Sequence, residues 1–168
     1  MFRNINSKEE LIDELSGDLD VIGLGMELFI DLTAQNIGFS FIDPFDVDLD
    51  FERQLDGHKI VYIDAVSSRE GFEIMHDFSD RCGERQRTRL MHALSKRHPF
   101  RVFKNVVSDL GLLDEWYAFK NNAYREIAQS RLDDCEIDFI GGKIVCGNND
   151  NISTYRCENI DDNFDDDE

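Results

Sequence analysis

Two amphipathic helices joined at a glycine constrain the fold more than any other feature of this chain. They occupy RHPFRVFKNVVSDLGLLDEWYAFKNNAYREIA, Arg97 to Ala128. Pro99 stands where the first turn of a helix tolerates it, because the amide hydrogen it lacks has no intrahelical partner there. Phe100, Phe103, Val107 and Leu110 follow at three- and four-residue steps, the spacing that gathers side chains on one face for burial. Gly111 is placed to close this helix in the left-handed conformation. A longer helix over Leu113 to Leu132 then carries Trp116, Phe119, Ala123 and Ile127 at the same steps, and so short a connection predicts antiparallel neighbours.

Upstream the period changes. Ser7-Lys8-Glu9-Glu10 fits a capping box and Leu11, Ile12 and Leu15 supply a short stripe, predicting a first small helix. Met26 to Leu32 and Ile37 to Phe41 read as a hairpin, with Ile37, Phe39 and Phe41 alternating onto one face. An acid-rich loop, Asp43 to Asp56, separates it from a third strand over His58 to Asp64. From Ser67 the pattern is helical: Phe72, Met75 and Phe78 form one stripe, and Leu90, Ala93 and Leu94 another. Glu136 to Ile140 and Lys143 to Cys146 flank Gly141-Gly142 as a second hairpin. Past Gly147 the chain is too acidic and too poor in apolar residues to fold. The expected class is α+β: a small antiparallel sheet followed by an antiparallel helical bundle, with a late hairpin and a disordered acidic tail. The expected organisation is one domain over 1–147 and a tail over 148–168.

The longest uninterrupted apolar stretch, Val21 to Met26, falls far short of the roughly 20 residues that cross a bilayer. No secretory signal opens the chain, so a cytoplasmic location and no membrane partner are expected. Cys82, Cys135, Cys146 and Cys157 lack zinc-binding spacings. Reduced thiols are the expectation, with Cys146 and Cys157, both close to the tail, as the exception.

A formal net charge of −18 conceals a segregation. Between Arg81 and Lys104 lie eight basic residues and one acidic one, a net of +7, which leaves −25 for the rest of the chain. Arg81, Arg85, Arg89, His92 and Lys96 would form a single stripe in one unbroken helix, which Gly83 is placed to interrupt. Arg97, Arg101 and Lys104 repeat the spacing opposite Phe100 and Phe103. The candidate partner-binding set is therefore Arg85, Arg89, Lys96, Arg97, Arg101 and Lys104, with nucleic acid as first partner and an acidic protein as second. The bland alternative is two solvated helix faces. The acidic tail is read as a solubilising segment, or as one that contacts a basic partner or its own chain's basic face; Phe164 among its acids suggests a short docking peptide.

Three motifs in order, Gly71-Phe-Glu-Ile-Met75, Phe100-Arg-Val-Phe-Lys104 and Glu115-Trp-Tyr-Ala-Phe-Lys120, resemble those of a family of uncharacterised bacterial proteins, the one numbered zero-one-five-eight. The resemblance spans roughly Met26 to Leu132 and implies no particular activity. Where such proteins usually carry Arg-Gly-Ala before the second motif, this chain has Arg97-His98-Pro99, which argues against His98 as a family-wide catalytic residue.

Trp116 and Phe119 are assigned to packing, and Tyr117 and Lys120 to the surface. Asp114 with Glu115, Asp133 with Asp134, and His98 are the groups available for acid and base work, but no nucleophile elbow, phosphate loop or His-Glu-x-x-His pair accompanies them. No catalytic residue, metal or cofactor is assigned. The expected function is non-enzymatic binding or regulation through the basic helical face; the alternative is an enzyme acting on a phosphorylated small molecule held at the helix N-terminus near Pro99.

Overall fold

Ser7 opens the first helix as its spacing predicts, accepting the Glu10 amide at 3.1 Å. The reciprocal bond is displaced by one residue, because Glu10 Oε2 accepts the Asn6 amide at 2.7 Å where the Ser7 amide was expected. The computed structural model describes residues 5–23, 25–41, 55–147 and 154–156. The chain divides into two compact units, Met1–Ala65 with Ile127–Glu168, and Val66–Glu126.

In the first unit, α1 (Lys8–Val21) buries Leu11, Ile12, Leu15 and Leu19. Strands β1 (Met26–Asp31), β2 (Asn36–Phe41) and β3 (Ile60–Ile63) pair antiparallel in the order β2-β1-β3. Central β1 is flanked on both sides and buries Leu28, Phe29, Ile30 and Asp31 consecutively, so it loses the alternation of a half-exposed strand. The acid-rich loop at Asp43 to Asp56 lies outside the described residues except for Leu55 and Asp56, which begin a turn. The late hairpin, β4 (Ile137–Ile140) with β5 (Lys143–Cys146), turns on Gly141 and Gly142, whose φ values of 61° and 81° suit glycine and match the tight turn expected. The Gln35 carboxamide joins the β1–β2 turn to β5, accepting the Ile144 amide at 2.6 Å and donating to the Ile144 carbonyl at 3.0 Å. Within the segment read as an unfolded tail, Thr154–Arg156 forms β6 parallel to β3, consistent with the strand preference of Thr and Tyr; the remainder of that segment lies outside the described residues.

The second unit is helical. Ser67 and Glu70 complete a capping box at the start of α2 (Ser68–Arg81). Its buried face is Ile74, Met75, Phe78 and Ser79, and Phe72, expected in the core, sits on the flank of that stripe and is exposed. Helix α3 (Glu84–Leu94) buries Leu90, Ala93 and Leu94 as expected. In α4 (Pro99–Asp109), Pro99 occupies the first turn, and Phe103 and Val107 are buried. Phe100 departs from expectation at 47% exposed, because it leans across Gly71 instead of inward. A Cβ at Gly71 would lie 3.0 Å from its ring. Gly111, with φ of 70°, follows α4 and precedes α5 (Leu113–Asp134). Residues 113–126 of α5 belong to the second unit and 127–134 to the first. Phe78, Phe103 and Trp116 form an edge-on cluster with centroids 5.0 to 6.3 Å apart, a geometry that aromatic quadrupoles favour.

The thiol expectation is corrected at Cys135, which is disulfide-bonded, while Cys82 and Cys146 are free. Cys146 is engaged otherwise, its Sγ donating to the Cys135 carbonyl at 3.2 Å. Cys157 lies outside the described residues.

Candidate functional site

The break at Cys82 and Gly83 separates Arg81 from the other cations. Arg81 closes α2 and stacks its guanidinium 4.7 Å from the centre of the Phe119 ring, so the unbroken stripe is not formed. Helix α3 begins again at Glu84 with Gly83 as a cap that offers no side-chain acceptor. Its buried face fixes the rest: Arg85, Arg89 and His92 fall on the opposite side and are exposed. Lys96 and Arg97 lie exposed in the link to α4, and Arg101 and Lys104 are exposed on that helix away from Phe103 and Val107.

All six candidate residues therefore face solvent. Arg87, which the sequence reading left out, is spoken for: Asp80 Oδ1 accepts its Nε–H at 2.7 Å, and that hydrogen bond, with the carboxylate charge, raises the guanidinium's affinity for its proton. Arg69 pairs with Glu73 at 3.1 Å. By contrast, among the described residues the side chains of Arg85, Arg89, Lys96, Arg97 and Arg101 make no ion pair or hydrogen bond. Lys104 places its ammonium 5.9 Å from the centre of the Tyr117 ring.

Lys104 also borders a groove of about 200 Å³ that the sequence reading did not foresee. Gly71, Ile74 and Met75 of α2, Phe100 and Phe103 of α4, and Trp116 and Tyr117 of α5 line it, and Lys120 joins Lys104 among the lining residues. Lys120 lies over Tyr124 at 5.3 Å. The apolar periodicity that predicts a packed bundle could not reveal the groove. It depends on a missing Cβ at Gly71 and on Phe100 lying outward, neither of which is a periodic signal.

A second constellation absent from the sequence reading lies in the first unit. Asp31, buried at the end of β1, accepts the Thr33 and Ala34 amides at 2.9 and 2.8 Å through Oδ1, while Oδ2 meets His58 Nδ1 at 2.6 Å. An aspartate orienting an imidazole is a component of nucleophilic sites, yet among the described residues no hydroxyl or thiol hydrogen-bonds the ring. The three hydrogen bonds instead pin the β1–β2 turn to the approach to β3. Among the described residues no group of three or more His, Cys, Asp or Glu side chains could hold a metal ion, and no helix is long and apolar enough to cross a membrane. Burial, and then the charge of Glu115, raises the pKa of the Cys82 thiol.

The N-terminus of α4, where the phosphorylated-ligand alternative places its ligand, has no side-chain cap hydrogen bond at His98. Asp114 and Glu115 are exposed near the start of α5, and Asp133 and Asp134 at its end.

No solved structure matches this chain. A UPF0158 protein of Pseudomonas aeruginosa is 30% identical over 128 residues, which cover 75% of this chain and 82% of that protein. Residues 5–145 match the sequence family described as Uncharacterised protein family (UPF0158). That span takes in both units as described up to β5 and every residue lining the groove, including the three motifs that meet there. The chain belongs to the uncharacterised protein family UPF0158.

Proposed function

We propose that this is a non-enzymatic binding or regulatory protein that contacts the phosphate backbone of nucleic acid through the exposed cations of α3, α4 and the link between them. One observation carries the reading. Among the described residues, Arg85, Arg89, Lys96, Arg97 and Arg101 project into solvent with no ion pair or hydrogen bond, although the chain holds twice as many acidic as basic residues, 36 against 18. Arg87 and Arg69 in the same unit are paired, with Asp80 and Glu73. A concentrated cationic face attracts phosphates locally whatever the net charge, and each contact releases counterions.

The test is fluorescence anisotropy of labelled oligonucleotides with the full chain at several salt concentrations. Three to five phosphate contacts to a single strand give a slope of log K against log salt of roughly −2 to −3.5. Absence of binding at low salt overturns the reading and directs the same face toward an acidic protein.

A further inference from the structure

We propose that the groove of the second unit holds one unpaired base of a single-stranded nucleic acid, its flanking phosphates reaching Lys104 and Lys120. This rests on the preceding reading and narrows its ligand from nucleic acid in general to strands whose bases are free to leave a stack. Three properties lead here. The groove's size is right for one flat ring system: cavities of roughly 150 Å³ take up benzene, and this groove holds about 200 Å³. Its walls are aromatic and thioether groups, with Phe100 at 47% and Tyr117 at 39% exposure offering ring surface to a ligand. Such surface is what stacks bases without regard to their sequence.

Its border is cationic. Lys104 and Lys120 both line the groove, and Arg101 lies three residues from Lys104 on the same helix, so the backbone-contacting face continues to the groove's edge. Stacking platforms beside a charged track are how proteins bind single strands. A duplex keeps its bases stacked and paired and offers the groove nothing to enclose. Gly71 sets the width: any larger residue would push on the Phe100 ring, which already lies 3.0 Å from where a Cβ would stand.

Trp116 makes the inference measurable, because it is the chain's single tryptophan and it lines the groove. The experiment titrates the full chain with a twelve-nucleotide thymidine strand, an abasic strand of equal length and a duplex, reading Trp116 emission together with anisotropy. The thymidine strand should change Trp116 emission and bind about tenfold more tightly than the abasic strand, the scale of one base–aromatic stack. Phe100→Ala and Tyr117→Ala, both at partly exposed positions, should weaken thymidine binding by about the same factor, and more than they weaken abasic binding. If the abasic strand binds as tightly and Trp116 does not respond, the groove assignment fails while backbone binding stands. If no strand binds, both fail. A response of Trp116 to an acidic peptide bearing phenylalanine, with none to thymidine, also overturns the assignment.

Discussion

The two units put charge and aromatic rings to opposite uses. The second unit holds eleven basic and nine acidic residues, a net of +2, so the first carries −20 of the chain's −18. In the first, Lys8 meets Asp138 at 3.1 Å and Arg131 donates to the Asp64 carbonyl at 3.2 Å. The Phe139 amide, and then Lys8, hold the Asp138 carboxyl below the usual carboxylate range. In the second, Arg85, Arg89, Lys96, Arg97 and Arg101 make no ion pair or hydrogen bond among the described residues. The cores differ likewise. The first unit's described buried side chains are aliphatic apart from Phe29, Asp31 and Cys135, whereas the second unit's are centred on Phe78, Phe103 and Trp116. A bulk charge of −18 thus describes one unit and misdescribes the other.

The contrast between cores makes the largest expected effect. Phe103, 1% exposed and edge-on to both Phe78 and Trp116, should cost about 3–5 kcal/mol on truncation to alanine. Ile30→Ala in the first unit, from a side chain with no exposure, should cost about 2–5 kcal/mol. Hydrogen exchange distinguishes the units: Phe103→Ala should release amides chiefly within 66–126, and Ile30→Ala chiefly within the sheet. Equal loss everywhere from either change would show that the units unfold as one and would break the comparison.

Next in size is Asp31→Ala, which strands the Thr33 and Ala34 amides and the His58 ring at once. Hydrogen bonds to a charged group contribute about 1.5–3 kcal/mol, part of which the exposed Thr33 and Ala34 amides regain from water, and Asp31→Asn should recover part of the loss, since a carboxamide oxygen still accepts one amide. Denaturant melts of the three proteins check this order. The pairing sharpens the contrast because the first unit's charges are structural here, whereas deleting Arg85 and Arg89 should leave stability within about 0.5 kcal/mol. The same double deletion should weaken single-strand binding roughly tenfold or more at low salt and flatten the salt slope by about 1.4 for two lost contacts. A slope unchanged by the deletion would place both arginines outside the interface.

How much of this was legible depends on whether a feature is periodic. The capping residues Ser7 and Ser67, Pro99, Gly111 and the Gly141-Gly142 turn follow from backbone chemistry that single residues announce, and the stripe of Leu90, Ala93 and Leu94 follows from helix geometry. Arg85, Arg89, Arg101 and Lys104 were legible as exposed because the buried face opposite them was. Phe72 and Phe100 were misplaced because spacing alone cannot say which apolar residue falls at the centre of a stripe and which at its edge. Ile74 and Ser79, adjacent to Met75 and Phe78, took the central positions on α2 instead. Asp31 and His58, 27 positions apart, and Gln35 and Ile144, 109 apart, meet only through strand register, which no local pattern encodes.

The smallest effect tests whether a unit's net charge predicts the potential at a given atom. Cys82 lies in the cationic unit, next in sequence to Arg81, and cations ordinarily favour a thiolate. Its pKa is nonetheless raised, first by burial and second by Glu115. Both causes favour the protonated thiol, so the reactive thiolate is depleted at any pH below the raised pKa and recovers only as pH climbs through it. Alkylation by iodoacetamide at pH 8 should therefore be slower at Cys82 than at an ordinary exposed thiol. Glu115→Gln removes only the second cause and should quicken it modestly, with Cys146, a free thiol in the other unit, as an internal clock that does not change. Should Glu115→Gln leave the ratio of the two rates untouched, burial alone governs the thiol. A slower Cys82 after that substitution would overturn the electrostatic assignment, because removing a negative charge beside a thiol favours its thiolate.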